Sequence, residues 1–351
     1  MESFFDAAVA ARPVLGWGQA PGRQTATILP VLTVLLVTFP FFALVLAGYV
    51  AARRRWLPLD SIGGLNGFVL FFALPCMLFR FGAATPLALL LDASLFLTYL
   101  LCALVIVGFV VATSLNRRIG WNDAAFGALV AAFPNTGFMG VPLLVALLGP
   151  KAAGPAIVTI VVDLLVTSSL CIALSRLDGA DEHGAARAAR NALKGVALNP
   201  MPWAIVLGVV ASATQLKLPA PVMQTVGLLA DAASPVALFS IGAVLARSQI
   251  VAAAGQHPAM PLADYVPVAL VKLVLHPVLV ALVGLAAINL GAPLAPFSLT
   301  VMILVAALPS ASNVSVLAER FGADTGRVAR IILLSTAAAF LTFSGAVALL
   351  Q

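Results

Sequence analysis

Two stretches of this chain, LVAAFPNTGFMGVPLL at 129–144 and LVAALPSASNVS at 304–315, each carry a proline within an apolar run. Their first six residues agree at five positions and end at Pro134 and Pro309. Proline lacks a backbone N–H and clashes with the preceding helical turn, so it interrupts a helix. Small and polar residues follow both prolines, and they suit an irregular backbone enclosed by protein. The pattern therefore predicts two matched helix breaks.

The composition around these stretches is typical of a chain that lies in a lipid bilayer. Of the 351 residues, 62% are apolar and only 9% are charged. Soluble domains have roughly 45–50% apolar and roughly 25% charged residues. This difference excludes a soluble enzyme, a nucleic-acid binder and a disordered chain. It predicts an all-α polytopic membrane protein.

The apolar residues gather into ten blocks, and ten membrane helices of roughly 20 residues each would use about 200 residues. The predicted helices lie near 28–51, 63–83, 93–113, 124–148, 155–174, 201–216, 222–245, 266–290, 298–318 and 328–350. The corresponding organisation is a tail at 1–27, a five-helix unit at 28–174, a linker at 175–200 and a second five-helix unit at 201–351.

The distribution of basic residues predicts the orientation. Thirteen Lys and Arg residues fall in the loops after odd-numbered helices, and five fall on the opposite side. The excess marks the cytoplasmic side, so both termini are predicted outside a bacterial cytoplasmic membrane. The net charge of +6 has the same origin and indicates no nucleic-acid partner. Within the linker, Arg187, Arg190 and Lys194 fit either a short helix on anionic headgroups or a solvated basic segment.

The two five-helix units resemble each other at a second place. PCMLFRFGA at 75–83 and PVALFSIGA at 235–243 share the proline, the Leu-Phe pair and the Gly-Ala pair. Because five is an odd number, two tandem copies must have opposite orientations in the membrane. Inverted repeats with matched interrupted helices are typical of secondary transporters. The breaks would then face one another at mid-membrane.

Such paired breaks are a candidate binding site, because the N-termini of half-helices attract anions. The alternative is a pair of kinked helices whose hydroxyl groups satisfy their own freed carbonyls. The candidate substrate-binding residues at the two breaks are Pro134, Asn135, Thr136, Gly137, Pro309, Ser310, Ser312 and Asn313. The three cysteines fall in apolar blocks and predict neither a disulfide framework nor a metal site, and no cofactor is expected.

Ionisable groups at membrane depth are functional candidates by default, because a buried charge is costly there. Asp163 lies in the fifth predicted helix, Asp231 in the seventh, and Lys272 and His276 one turn apart in the eighth. Two interpretations of Asp163 with Lys272 and His276 stay open, a proton-coupling site and a neutralised pair that holds helices together. Asp231 fits either a support for the substrate path or a role in helix packing.

The sequence PNTGFMGVPLL at 134–144 closely resembles the fourth-helix motif of the auxin efflux carrier family. The segments ALP at 307–309 and LAERFG at 317–322, and the Asn199-Pro200 pair, also fit that family. The resemblance implies ten helices in two inverted five-helix repeats, similar in outline to the bile acid:sodium symporters. In that arrangement the broken helices 4 and 9 cross.

The resemblance also implies a mechanism. Helices 1, 2, 6 and 7 would form a scaffold that makes a homodimer, and the other helices would form a mobile transport domain with elevator-type alternating access. Asn135 would help to hold the substrate carboxylate. The linker is far shorter than the regulatory loop of the plant carriers, so control by phosphorylation of that loop is not expected. Ser310 after the second proline leaves the shape of the substrate open.

The sequence thus predicts a secondary transporter for a small organic anion, such as malonate, malate or an auxin-like weak acid. A sodium- or proton-coupled importer of similar substrates is the alternative within transport. Sodium is less favoured than protons, because Glu319 is the only acid near the breaks. An intramembrane enzyme is less favoured because HExxH, GxSxG and paired membrane aspartates are missing from the sequence. A non-transporting receptor would have no need of an inverted pair of breaks.

Overall fold

The computed structural model describes residues 28–84, 92–177, 200–216, 218–253 and 260–350. Long apolar helices make up almost all of these residues, and one isolated β-bridge joins two of the connections. The helices are α1 Ile28–Arg53, α2 Ser61–Ala84, α3 Ala93–Ser114, α4 Trp121–Ala132, α5 Thr136–Leu148, α6 Pro150–Leu174, α7 Pro200–Ala213, α8 Ala220–Ala253, α9 Val266–Asn289, α10 Pro296–Ala307, α11 Asn313–Phe321 and α12 Thr325–Leu350.

Six of these helices, α2, α3, α6, α8, α9 and α12, are long and apolar enough to cross a membrane. Shorter apolar helices lie at Phe39–Arg53, Thr136–Leu148, Trp203–Ala213 and Pro296–Ala307. The prediction of an all-α polytopic membrane protein is confirmed at this level. The tail at 1–27 and most of the linker, with Arg187, Arg190 and Lys194, lie outside the described residues.

Helices α1 and α8 pack backbone to backbone at a pair of glycines. A Cβ atom on Gly48 would lie 1.8 Å from the carbonyl oxygen of Phe239, and one on Gly242 would lie 1.8 Å from that of Val45. Both distances are far inside van der Waals contact, so neither position accepts any side chain without separating the helices. Glycine therefore determines how closely α1 and α8 approach.

Helices α2 and α7 repeat this arrangement. A Cβ atom on Gly208 would lie 2.6 Å from the carbonyl oxygen of Phe79, and one on Gly82 would lie 3.2 Å from that of Ile205. Helix α8 also packs along α2, so α1, α2, α7 and α8 form one contiguous group. Close approach of small residues is a common way of packing helices in membranes, where helix association gains little from the hydrophobic effect.

The remaining helices surround two short ones that are buried on every side. Nine of the twelve residues of α4 and eight of the twelve residues of α10 are buried. Both helices consist mainly of Ala, Val and Leu. A helix that is apolar all round belongs inside a protein or a membrane. The C-terminal ends of α4 and α10 are the points at which the two proline-containing segments begin.

Candidate functional site

The two proline-containing segments lie side by side and pair through their backbones. Helix α4 ends at Ala132 and α10 ends at Ala307, shortly before the two prolines. Pro134 and Ser310 form an antiparallel bridge. The N–H of Asn135 donates to the carbonyl of Pro309 at 2.8 Å, and the N–H of Ala311 donates to the carbonyl of Phe133 at 3.0 Å. The structure thus brings residues 133–135 against residues 309–311.

Several backbone groups of the first segment form hydrogen bonds within the segment or with the first turn of α5. The N–H of Thr136 donates to the carbonyl of Pro134 at 2.8 Å. The carbonyl of Asn135 accepts from the N–H groups of Met139 and Gly140, at 3.1 and 3.0 Å, and starts α5 with a π-helical turn. The Thr136 side chain is fully buried, and its Oγ1 has no hydrogen-bond partner among the described residues.

The second segment depends on side chains from other helices. The N–H of Ser310 donates to Ser335 Oγ of α12 at 3.2 Å, and the two serine hydroxyls lie 3.1 Å apart. The Lys272 ammonium of α9 donates to the carbonyl of Ala306 at 2.8 Å, in the last turn of α10. A cation is favourable at a helix C-terminus, where the helix dipole is negative.

Lys272 belongs to a fully buried polar cluster that joins three helices. Its Nζ lies 3.2 Å from His276 Nδ1, and the His276 ring centroid lies 6.1 Å from that of Tyr99. The Tyr99 hydroxyl donates to Asp163 Oδ2 at 3.1 Å. The sequence therefore singled out three members of one cluster, Asp163, Lys272 and His276, but missed the tyrosine that connects them.

The two charges of this cluster do not form a direct ion pair. Among the described residues the ion pairs are Arg80 with Asp231 and Arg118 with Asp264. Asp163 and Lys272 are near enough for their opposite charges to interact, but they bind different partners. Thr167 also donates to Asp163, at 3.3 Å. The carboxylate and the ammonium are thus each held by neutral groups, which is one requirement for tolerating buried charge.

A narrow, open cleft lies between the second segment and the group formed by α2 and α8. We call it the central cleft. All the residues that line it are uncharged; six are apolar, and the polar ones come from α2 and from the start of α11. The lining residues are Asn66, Val69 and Leu70 of α2, Ala237, Ile241 and Val244 of α8, Phe138 of α5, and Ser312, Asn313 and Ser315 around the start of α11.

The central cleft contains some of the predicted site residues and not others. Ser312 and Asn313 line it, and Asn313 Oδ1 is buried with no hydrogen-bond partner among the described residues. Asn135 is only 4% exposed, lies at the backbone pairing and is not part of the lining. Gly137 lies near Leu74 of α2, since a Cβ there would be 3.7 Å from Leu74 Cδ1.

Asp231 lies away from the two segments and pairs with Arg80. Its Oδ1 is 2.6 Å from Arg80 Nη1, and both side chains are well exposed, at 47% and 35%. The contact joins α8 to α2. An exposed ion pair of this kind contributes little to stability. In this structure, Asp231 makes a helix contact, and it lies outside the central cleft.

Arg327 is the centre of a second polar network. The sequence did not predict this network, because Arg327 lies among the basic residues that were assigned to a cytoplasmic loop. It is 2% exposed, and its Nε and Nη1 donate to the carbonyls of Asp264 and Asp123, each at 2.7 Å. Arg118 reaches Asp264 Oδ1 at 3.4 Å. The connections after α3, before α9 and after α11 therefore meet at one end of the molecule.

Comparison with known proteins agrees with this architecture. Residues 33–347 match the family described as membrane transport protein. A Rhizobium meliloti (strain 1021) protein named "Putative malonate transporter" is 30% identical over 316 residues, which cover 90% of this chain and 95% of that protein. "Uncharacterized transporter YfdV" of Escherichia coli (strain K12) is 30% identical over 296 residues, covering 82% of this chain and 88% of that protein.

A plant relative extends the comparison. Auxin efflux carrier component 3a of Oryza sativa subsp. japonica is 28% identical over 151 residues, which cover 40% of this chain and 24% of that protein. The family match spans most of the chain, and the similarity to this plant carrier spans 40% of it. The chain belongs to the membrane transport protein family, which includes the auxin efflux carriers, and it is a multi-pass membrane transporter.

Proposed function

We propose that the protein carries a small organic anion, a carboxylate such as malonate, malate or an auxin-like weak acid, across the cytoplasmic membrane. The observation that carries this proposal is the central cleft, where uncharged polar groups at the start of α11 face α2 and α8. The name of the Rhizobium relative supports a carboxylate substrate.

Anion binding in the cleft would rely on neutral donors. The N–H groups of the first turn of a helix lack partners within the helix and point toward a ligand beyond its end. Helix α11 begins at Asn313, on the wall of the cleft, and α5 begins at Thr136 beside the paired segments. The small residues between Pro309 and α11 let a ligand approach the backbone there. Asn135, between Pro134 and Thr136, is the side chain that we assign to the substrate carboxylate.

The proposed mechanism is elevator-type alternating access by two inverted repeats. Gly48 and Gly208 are 160 residues apart, as are Gly82 and Gly242, and the close contacts are α1 with α8 and α2 with α7. This exchange of partners is what inverted repeats would produce. The backbone contacts suit α1, α2, α7 and α8 to an immobile scaffold, which we propose as the homodimer interface.

The mobile part would be α3 to α6 together with α9 to α12. Both half-helices α4 and α10, and the polar cluster around Lys272, lie within this part. The Arg327 network joins its connections at one end, so they would move as one body. We assign that end to the cytoplasm because of its basic residues, and both termini to the outside.

Coupling to protons is the second element of the proposal, and the observation that favours it is the buried cluster of Asp163, Tyr99, Lys272 and His276. Asp163→Asn is expected to change the dependence of transport on pH, because it removes a titratable group from the moving body. Transport by Asp163→Asn and by the wild type should be compared across pH at saturating substrate. An unchanged pH profile with an unchanged maximal rate would make Asp163 purely structural.

The first test of function is charge movement by the reconstituted protein on a solid-supported membrane. Malonate, malate, other small carboxylates and indole acetate would be compared, with and without sodium and a pH gradient. We expect a saturable current that Asn135→Ala abolishes while the variant remains folded. Electroneutral transport gives no current, so counterflow of radiolabelled substrate would follow. The absence of both a substrate-dependent current and counterflow would contradict the proposed function.

A further inference from the structure

Asn66 of α2 and Ser240 of α8 form a hydrogen-bonded pair on the wall of the central cleft. The Ser240 hydroxyl donates to Asn66 Oδ1. Ser240 is buried, with 1% of its surface exposed, whereas Asn66 is half-buried and lines the cleft. Neither residue is part of the two paired segments, which contain Pro134 and Pro309, or of the buried charged cluster. The pair joins the two helices of the proposed scaffold that border the cleft.

The contact with Ser240 determines which part of the Asn66 amide faces the cleft. A carboxamide has one oxygen, which accepts, and one NH₂ group, which donates twice. Because the serine hydroxyl donates to the oxygen, the amide is oriented with its donors away from Ser240. The central cleft is the open space beside Asn66. The NH₂ group of Asn66 is therefore the donor that the scaffold can offer to a ligand in the cleft.

The opposite wall presents a different set of polar groups. Ser312 and Asn313 stand at the start of α11, and Ser315 Oγ is already engaged by donating to the carbonyl of Ser312 at 2.7 Å. Val69 and Phe138 lie among the apolar residues of the lining. A ligand that engages the polar groups of both walls needs two acceptor groups, and the apolar lining suits a short apolar part between them. A dicarboxylate has that form, and a monocarboxylate leaves one end of the cleft unpaired.

We propose that Asn66, oriented by Ser240, donates to the second carboxylate of a dicarboxylate and determines the preference for dicarboxylates over monocarboxylates. The inference rests on the proposed function, because it names the substrate class of the same cleft. Hydrogen bonds to a charged group are stronger than those between neutral groups. A site built to hydrogen-bond a substrate group rejects an analogue that lacks it, because the polar groups of the site are then left unpaired.

The test compares one dicarboxylate, malonate, with one monocarboxylate, propionate, as competitors in counterflow by the reconstituted full chain. Asn66→Leu keeps the branching of the side chain and removes both donors together with the acceptor for Ser240. We expect it to weaken the apparent affinity for malonate by about 10- to 100-fold, the range expected for hydrogen bonds to a charged group. The apparent affinity for propionate should stay nearly unchanged. Ser240→Ala should also weaken the apparent affinity for malonate, by a smaller factor. Ser240→Thr keeps the hydroxyl, so its affinity for malonate should match that of the wild type.

The control is Thr225→Ala on α8, because the Thr225 hydroxyl donates only to the carbonyl of Pro221 in its own helix and lies outside the cleft. Should Asn66→Leu not fold, Ser240→Ala decides the question. If the deciding variant loses apparent affinity equally for malonate and propionate, or for neither, the inference is overturned. A wild-type protein that carries only monocarboxylates would also overturn it and leave the proposed function standing. A wild type that carries neither class would contradict the proposed function itself.

Discussion

The two proline-containing segments begin with nearly the same residues but stabilise their backbones in different ways. In the first, the N–H of Thr136 returns to the carbonyl of Pro134, and the carbonyl of Asn135 accepts two N–H groups of α5. In the second, the N–H of Ser310 and the carbonyl of Ala306 depend on side chains of α12 and α9. Both segments also pair with each other, so the contrast lies in these further contacts, which are local for the first segment and involve side chains of α9 and α12 for the second.

This difference indicates how the two segments divide their roles. Asn135 of the first segment is the residue that the proposed function assigns to the substrate carboxylate, although it is only 4% exposed in this structure. A segment held by Lys272 and Ser335 is connected directly to the buried cluster, and a change of charge in that cluster would reach the backbone beside the cleft. We therefore expect variants of the first segment to affect binding, and variants around the second to affect stability.

The largest expected effect is on binding by Asn135→Ala, compared with Ser310→Ala at the corresponding position of the second segment. Asn135→Ala should weaken substrate binding by about 10-fold or more, since hydrogen bonds to a charged ligand contribute about 1.5–3 kcal/mol. Ser310→Ala should change binding little, because its hydroxyl faces Ser335. Competition in counterflow measures both. Equal losses would show that the two segments share the ligand, and the division of roles would be wrong.

Lys272→Met is expected to be the most destabilising change around the second segment. It leaves the carbonyl of Ala306 without its donor, which costs about 1–3 kcal/mol for a buried group, and it removes the charge nearest to Asp163. Thermal unfolding in detergent measures the loss. The double variant Lys272→Met/Asp163→Asn should be more stable than the sum of the single effects predicts, because the uncompensated carboxylate is gone. Strict additivity would exclude a coupling between the two charges.

The smallest expected effect is that of Ser335→Ala, which removes one acceptor from the N–H of Ser310. A typical hydrogen bond contributes about 0.5–1.5 kcal/mol, so we expect a loss of that order. Ser344→Ala on the same helix is the matched control, because the Ser344 hydroxyl donates only to the carbonyl of Phe340. If both variants unfold at the same temperature, the contact of Ser335 with the second segment contributes nothing measurable.

The candidate site was predicted from sequence where the signal was chemical and local. A charged or amide residue in an apolar block is conspicuous, so Asp163, Lys272, His276 and Asn313 were singled out from type and position alone. Ser240 was overlooked, because a serine in an apolar helix has no distinctive pattern. Its role depends on a hydrogen bond to Asn66, which lies on another helix. Tyr99 was overlooked for the same reason, since its partner Asp163 is 64 residues away.

Asp231 shows the opposite case. Its place in an apolar block marked it as a functional candidate, and the structure pairs it with the partly exposed Arg80. Neither residue indicates the other in the sequence, because they lie 151 positions apart. An ionisable residue near a helix end can reach a partner outside the core, and that depends on the rotation of two helices about their axes.

The sequence by itself determined that this is an all-α membrane protein of the transporter family, and it predicted interruptions at Pro134 and Pro309. These properties follow from composition, from the chemistry of proline and from motifs, all of which are written along the chain. Only the tertiary structure decided which side chains stabilise each interruption and which residues line the central cleft. Those contacts join helices that are far apart in sequence, so their geometry depends on packing distances such as the approach permitted at Gly48 and Gly242.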